Sequence, residues 1–244
     1  MAMVDFSLKG KVALITGGSR GIGQAIALAF ADQGADVAVS ARKLPDLEAT
    51  AAQIRAKGRK GLAIASHVAK ADEIKSLVAQ VKDQFGRIDI LVNNAGTNPY
   101  AGPLIDAEEW AWDTTSNVNV KGPFLLSLMV ARIMKEQGGG TIINVSSAAG
   151  LRPSSLHIYS VTKAALIMVT RVMAREFAPY HIRVNAIAPG VVKTRLSEML
   201  WRNNPNPDAL PQPEDIAGTA VYLASNASKY VTGETIAIAL GPGE

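Results

Sequence analysis

A tyrosine and a lysine stand four residues apart in Tyr159-Ser160-Val161-Thr162-Lys163. On a helix that spacing puts both side chains on one face, one turn from each other. Apolar residues at Leu166, Val169, Met173 and Phe177 carry a helical period onward. A phenol alone is a poor acid at neutral pH, with an ordinary pKa of about 10. A fixed ammonium close by favours the phenolate and draws that pKa down. Such a pair suits a group that gives a proton to a substrate oxygen, or takes one from it. The same spacing also arises on ordinary surface helices, so its weight depends on what the rest of the chain aims at it.

Composition narrows the options. The 244 residues suit one α/β domain, and 48% hydrophobic content supplies a sizeable core. Charge is mild, 25 basic against 21 acidic residues, and aromatics make up only 5%. The basic residues are scattered, unlike a nucleic-acid surface, where a basic stripe interleaves with aromatics. The absence of cysteine excludes disulfides, zinc–thiolate sites and cysteine nucleophiles. His67, His157 and His181 are scattered, and no grouping of His, Asp and Glu has metal-ligand spacing. The first residues lack the apolar run of a signal peptide, and no segment has the roughly 20 apolar residues that span a bilayer. The expectation is a soluble cytoplasmic protein without nucleic-acid or membrane partners.

The elements that must position the pair follow from the chain in order. Val12-Ala13-Leu14-Ile15 reads as a parallel strand covered on both faces. It runs into Thr16-Gly17-Gly18-Ser19-Arg20-Gly21-Ile22-Gly23 and then a helical pattern that stops at Gly34. Strand, glycine turn and helix make a phosphate cradle, with the anion at the helix N-terminus. Further strands are expected at 36–40, 61–66, 88–92, 141–145, 182–187 and 235–239. Helices are expected at 45–57, 71–85, about 108–136, from Tyr159 onward, and 213–223. This alternation calls for a doubly wound parallel sheet of Rossmann type in one domain spanning 1–244. Ligands of such sheets lie beyond the carboxyl ends of the strands. The glycine turn, Asn93, Ser146-Ser147 and Pro189-Gly190 all follow strands, so they converge on one edge with Tyr159 and Lys163.

With these motifs in order, the chain resembles the short-chain dehydrogenase/reductase family. The resemblance covers about 9–233 and rests on Thr16–Gly23, Asn93-Asn94-Ala95-Gly96, Asn119-Val120-Lys121-Gly122, Ser146, Tyr159-x-x-x-Lys163, and Pro189-Gly190 with Thr194. It implies a catalytic tetrad. Tyr159 is then the general acid and base, and Lys163 lowers its pKa and holds the nicotinamide ribose. Ser146, thirteen residues before the tyrosine as in the family, binds the substrate oxygen in preference to Ser147. Asn119 bends its helix and anchors a water linked to Lys163. The likeness further implies cofactor contacts at Gly17, Ser19, Arg20, Gly21, Ile22, Gly23, Arg42, His67, Val68, Asn93, Tyr159, Lys163, Pro189, Gly190, Val192 and Thr194. It also implies a homotetramer paired through the helices near Asn119 and Tyr159.

Cofactor choice follows from charge. An NAD site offers an acid to the ribose 2′-hydroxyl near the end of the second strand, whereas arginine accommodates a 2′-phosphate. Here that place reads Ser40-Ala41-Arg42, and Arg20 stands in the glycine turn, so NADP(H) is expected. Three departures from the family pattern stand out. His67-Val68 replaces the usual Asp-Val or Asp-Leu beside the adenine, Ala239-Leu240-Gly241 replaces Asp-Gly-Gly, and the flap at about 191–212 is short. Smaller details, including Asn98-Pro99-Tyr100, are similar to an NADPH-dependent carbonyl-reductase subgroup. The leading expectation is hydride transfer between NADP(H) and a carbonyl or secondary alcohol. A 3-oxoacyl-carrier-protein reductase ranks second, because Glu136-Gln137-Gly138 and Pro179-Tyr180-His181 form no strongly basic patch. A non-catalytic nucleotide-binding sensor or scaffold is the reading of another class; it has no need of all four tetrad residues.

Overall fold

In a computed structural model, residues 4–202 and 204–238 are described. Seven parallel strands form one sheet: β1 (Val12–Thr16), β2 (Asp36–Ala41), β3 (Gly61–Ala65), β4 (Ile90–Asn93), β5 (Gly140–Val145), β6 (Ile182–Pro189) and β7 (Thr235–Ile238). Their order is β3-β2-β1-β4-β5-β6-β7, so the direction of winding reverses between β1 and β4. Register pairs Thr16 with Ser40 on one side of β1 and Ile15 with Val92 on the other. The glycine turn and the end of β4 therefore leave the sheet side by side. Ala239-Leu240-Gly241 lies outside the described residues.

Alternation along the buried strands builds two cores. Ala13 and Ile15 pack with α1 (Gly21–Asp32), α2 (Leu44–Ala56) and α8 (Pro213–Ala224) through Ile26, Phe30, Leu47, Ile54 and Ile216. Val12 and Leu14 face α3 (Ala71–Phe85) and its Ile74, Leu77 and Val81. The same layer holds the helices that carry the site. The segment expected as one helix from Glu108 to Glu136 is α4 (Glu109–Ser116), a π-helical turn (Asn117–Lys121) and α5 (Gly122–Glu136). After β5 comes α6 (Ile158–Phe177), and after β6 a segment with the short α7 (Glu198–Trp201).

Helix α6 buries Tyr159, Thr162, Lys163, Leu166, Thr170, Met173 and Ala174, a stripe of helical period facing the sheet. Three apolar side chains on its other face, Val161, Met168 and Val172, are 51%, 55% and 53% exposed.

Candidate active site

The glycine turn owes its shape to the end of β4. Asn94 Nδ2 donates to the carbonyls of Thr16 and Gly17 at 3.0 and 3.1 Å. The N–H groups of Asn94 and Ala95 donate to Thr16 Oγ1 at 3.1 and 3.2 Å. A Cβ on Gly17 or Gly23 would lie 2.7 or 2.3 Å from Asn94 Nδ2, so neither position admits a side chain. Helix α1 then begins with no side-chain cap and no acid in its first turn. Its free N–H groups and positive dipole end fit an anion, and the bare backbone before it lets a pyrophosphate approach. The residues present therefore fit the phosphates of a dinucleotide. The side chain of Asn93, where a cofactor contact is expected, turns into the sheet. Its Nδ2 donates to Ser127 Oγ and Asn144 Oδ1, both at 2.9 Å. The even strand alternation explains this, since Asn93 is still in β4 while Asn94 has left it.

Gly18 N–H donates to Ser40 O at 3.2 Å, which brings the glycine turn against the end of β2. Arg20 and Arg42 flank that contact, both exposed. Among the described residues neither guanidinium has a hydrogen-bond or ion-pair partner. Their charges meet no carboxylate at the end of β2.

On the other side of the switch, Lys163 is 3% exposed and its Nζ donates to Val145 O at 2.8 Å. It lies 5.4 Å from the centre of the Tyr159 ring. A Cβ on Gly96 would be 3.5 Å from Lys163 Nζ and 3.6 Å from Asn119 Oδ1, so both polar ends converge on that glycine. Asn119 sits in the π turn and is fully buried. It accepts from Thr97 N–H and donates to Thr97 O, each at 2.9 Å, and reaches Thr162 Oγ1 at 3.1 Å. The bend expected at Asn119 is therefore a widened helical turn pinned to the loop after β4. Thr162 is not among the residues that sequence motifs single out, although its place one residue before Lys163 is a signal.

Two side chains are set otherwise than the sequence leads one to expect. The Ser146 hydroxyl is engaged within the fold. It is buried, and its Oγ donates to Lys163 O at 2.8 Å. The hydroxyl close enough to act on the Tyr159 phenol is that of Ser147. Ser147 Oγ accepts Ala149 N–H at 3.2 Å and makes a long 3.5 Å contact to Pro189 O. Ser146 follows directly on β5 and is buried, whereas Ser147 opens the turn Ala148–Gly150 and is half-buried. The second is the phenol. Burial pushes Tyr159 up to about 12, and the Ser147 hydrogen bond lowers it by less. Burial takes Lys163 down to about 8. Desolvation penalises the charged form of both groups and is the largest cause of each shift.

The segment after β6 closes against the glycine turn. Val192 is buried, Gly190 N–H donates to Ile238 O at 2.8 Å, and a Cβ on Gly21 would stand 3.3 Å from Thr194 Cγ2. Thr194 is held by α7: its Oγ1 bonds Ser197 Oγ at 2.9 Å and its carbonyl accepts Trp201 Nε1–H at 2.8 Å. Ser197 Oγ also donates to Val192 O. Leu200 is exposed and Trp201 half-buried, so α7 turns apolar surface outward and contributes none of its side chains to the fully buried core. Ser19 and Ile22 lie half-buried in the turn, and Ile22 packs on the core. Val68 is buried with its carbonyl against Gly122, where a Cβ would come within 2.4 Å.

Residues 11–205 match the family model described as short chain dehydrogenase. The protein belongs to the short-chain dehydrogenase/reductase family. It is similar to "Dehydrogenase/reductase SDR family member 4" from Homo sapiens, 40% identical over 244 residues, 96% of this chain and 88% of that protein. Among solved structures, a short-chain type dehydrogenase/reductase from Mycobacterium marinum superposes with a TM-score of 0.91 at 40% identity, covering 96% of this chain and 95% of that one. A 7α-hydroxysteroid dehydrogenase, complexed with NADH and 7-oxo glycochenodeoxycholic acid, gives a TM-score of 0.89 at 31% identity over 98% and 96% of the two chains. Membership makes this short-chain dehydrogenase/reductase an oxidoreductase that uses a nicotinamide cofactor, NAD or NADP, on a small-molecule substrate. No helix among the described residues is long and apolar enough to cross a membrane.

Proposed function

We propose that this protein transfers a hydride between NADP(H) and the carbonyl carbon of a ketone or aldehyde with apolar substituents, or the matching secondary alcohol. The observation that carries the reading is the buried Tyr159 phenol, flanked by the Ser147 hydroxyl and one helical turn from Lys163, on the sheet edge that holds the glycine cradle. A phenol raised to about 12 keeps its proton at neutral pH, which is the state that reduction requires. As negative charge grows on the substrate oxygen, Tyr159 donates that proton. Ser147 lies beside the phenol and would add a hydrogen bond to the substrate oxygen, Ala149 N–H being on its oxygen and its proton making only a long 3.5 Å contact to Pro189 O. Lys163, charged below about pH 8, offsets the phenolate left behind. Asn119 holds the loop at Thr97 and the helix at Thr162, and so fixes the lysine's surroundings.

Arg20 and Arg42 support NADP(H) over NAD(H), since two unpaired guanidinium groups suit a 2′-phosphate. Gly190, Val192 and Thr194 would hold the nicotinamide end, with the segment at 191–212 as a short flap over the substrate in a single domain of 244 residues. Family members often form oligomers, and the exposed apolar stripe Val161, Met168 and Val172 on α6 favours pairing of two copies there, toward a tetramer.

The test follows loss of NADPH absorbance, with NADH in parallel, against ketones, diketones, aldehydes and an acetoacetyl thioester, beside Tyr159→Phe. Tyrosine-dependent oxidation of NADPH by simple carbonyls is the expected result. NADPH binding without turnover of any carbonyl would sink the proposal.

A further inference from the structure

The loop after β3 fixes the ring of His67 by main-chain contacts. Ser66 N–H donates to Ala41 O at 2.9 Å and ties the loop to the end of β2. His67 N–H donates to Glu73 Oε2 at 2.7 Å, and Lys70 N–H donates to His67 O at 2.9 Å. The Glu73 carboxylate is held in turn by Lys70 Nζ at 2.9 Å. Ala69 N–H donates to His67 Nδ1 at 3.1 Å. This last bond decides the chemistry. A neutral imidazole has one donor and one acceptor nitrogen, and the bond made by one assigns the other. With Nδ1 accepting, the proton sits on Nε2. The ring is half-buried, and no described group accepts a hydrogen bond from Nε2. The free edge of His67 is therefore a donor and offers no acceptor.

In a doubly wound sheet the pyrophosphate lies on the turn after β1 and the adenosine ribose at the end of β2. The purine is then carried further toward β3, where His67 stands beside β2's last residue. Adenine carries a 6-amino donor, whereas hypoxanthine carries a 6-oxo acceptor in the same place. A carboxylate here would only accept, so it would suit the amine and oppose the oxo group. The Nε2–H edge removes that opposition.

We propose that His67 makes the adenosine end of this site tolerant of a 6-oxo purine, so that the hypoxanthine counterpart of NADPH binds as well as NADPH itself. The proposal rests on the cofactor reading above and goes beyond it by naming the base edge that is recognised.

The experiment measures Kd for NADPH and for its hypoxanthine counterpart from the fluorescence of the reduced nicotinamide, with wild type, His67→Asp and His67→Asn. Asparagine keeps an acceptor toward Ala69 N–H and a donor outward, as the imidazole does, whereas aspartate presents acceptors both ways. Wild type and His67→Asn are expected to bind the two dinucleotides within about threefold of each other. His67→Asp is expected to bind the hypoxanthine form about tenfold more weakly than NADPH. A wild-type preference for NADPH of about tenfold or more, or one ratio shared by all three proteins, overturns the proposal and leaves the cofactor reading standing. Failure of wild type to bind either dinucleotide overturns both. If His67→Asp does not fold, the wild-type ratio decides alone.

Discussion

The Ser146 hydroxyl donates to the main-chain carbonyl of Lys163 at 2.8 Å, while the Lys163 side chain donates to the carbonyl of Val145 at 2.8 Å. The end of β5 and the first turns of α6 thus clasp each other in both directions. Ser146 is spent on that clasp, which leaves Ser147 to face the phenol.

Substitutions at the two serines should therefore separate. Ser147→Ala is expected to lower kcat for carbonyl reduction by roughly 10²–10³-fold, the usual effect of losing a donor to a developing oxyanion. Ser146→Ala removes one buried hydrogen bond from a carbonyl that α6 also engages, and is expected to cost about 0.5–1.5 kcal/mol of stability, with a much smaller change in kcat. Paired steady-state kinetics and denaturant melts measure both, and equal loss of kcat in the two variants contradicts the assignment.

The two shifted pKa values predict a direction for each pH profile. Below about 8, Lys163 is charged and Tyr159 protonated, so reduction should be flat with pH and then fall as the ammonium is lost. Oxidation of the alcohol needs the phenolate and should rise toward alkaline pH. Reduction that stays level through pH 10 would remove Lys163 from the proton-transfer step.

Stability carries the same information with its own sign. Between pH 8 and 10.5 the unfolded chain binds more protons at Lys163 than the folded one, so stability rises with pH. Tyr159 works the other way between pH 10 and 12, where the folded state keeps the proton and stability falls. Relative to Lys163→Met, wild type should gain about 3 kcal/mol on moving from pH 8 to 10.5, since one proton's difference is worth about 1.4 kcal/mol for each step of one in pH. A difference between the two proteins that does not change with pH is the contrary outcome in denaturant titrations.

At the other end of the site, Arg42→Ala should weaken NADPH binding by about 10- to 100-fold and leave NADH nearly unchanged, with Arg20→Ala adding to it. Calorimetric titration reads both affinities. Parallel weakening of the two cofactors would mean that the arginines serve the pyrophosphate rather than a 2′-phosphate.

Much of this architecture is legible in the sequence because periodicity and glycine placement report local backbone needs. The turn Gly17–Gly23, the buried run at β1 and the α6 stripe all declare themselves in that way. Spacing counted along a loop does not. Ser146 has the family's thirteen-residue distance to Tyr159, yet Ser147, twelve residues away, is the one that faces the phenol. The loop between them is a residue shorter than the count assumes, and a count cannot see which way a strand's last side chain points. The inward turn of the Asn93 side chain escapes the sequence for the same reason. The raised tyrosine pKa is hidden because it depends on how deeply α6 is buried, which the Tyr–Lys spacing does not encode.

That shortened loop ends at His157, whose φ of 41° and ψ of −108° lie where side-chain-bearing residues are strained. Such positions cost about 1–3 kcal/mol, and glycine relieves most of it. His157→Gly is expected to stabilise the fold by about 1 kcal/mol, a rise in Tm of roughly 2–4 °C for a chain of this size. A lower Tm would show that the imidazole contributes more than the strain removes.

The widened turn at Asn117–Lys121 bears on how this chain can change over generations. Such a turn carries one residue more than a regular α-helical turn, so loss of one residue there would let α4 and α5 fuse into a continuous helix with Leu126, Val130 and Met134 still facing the sheet. What the shorter segment would give up is the hold of Asn119 on Thr97 and Thr162. The length of 117–121 is thus tied to the loop after β4 rather than to the packing of α5.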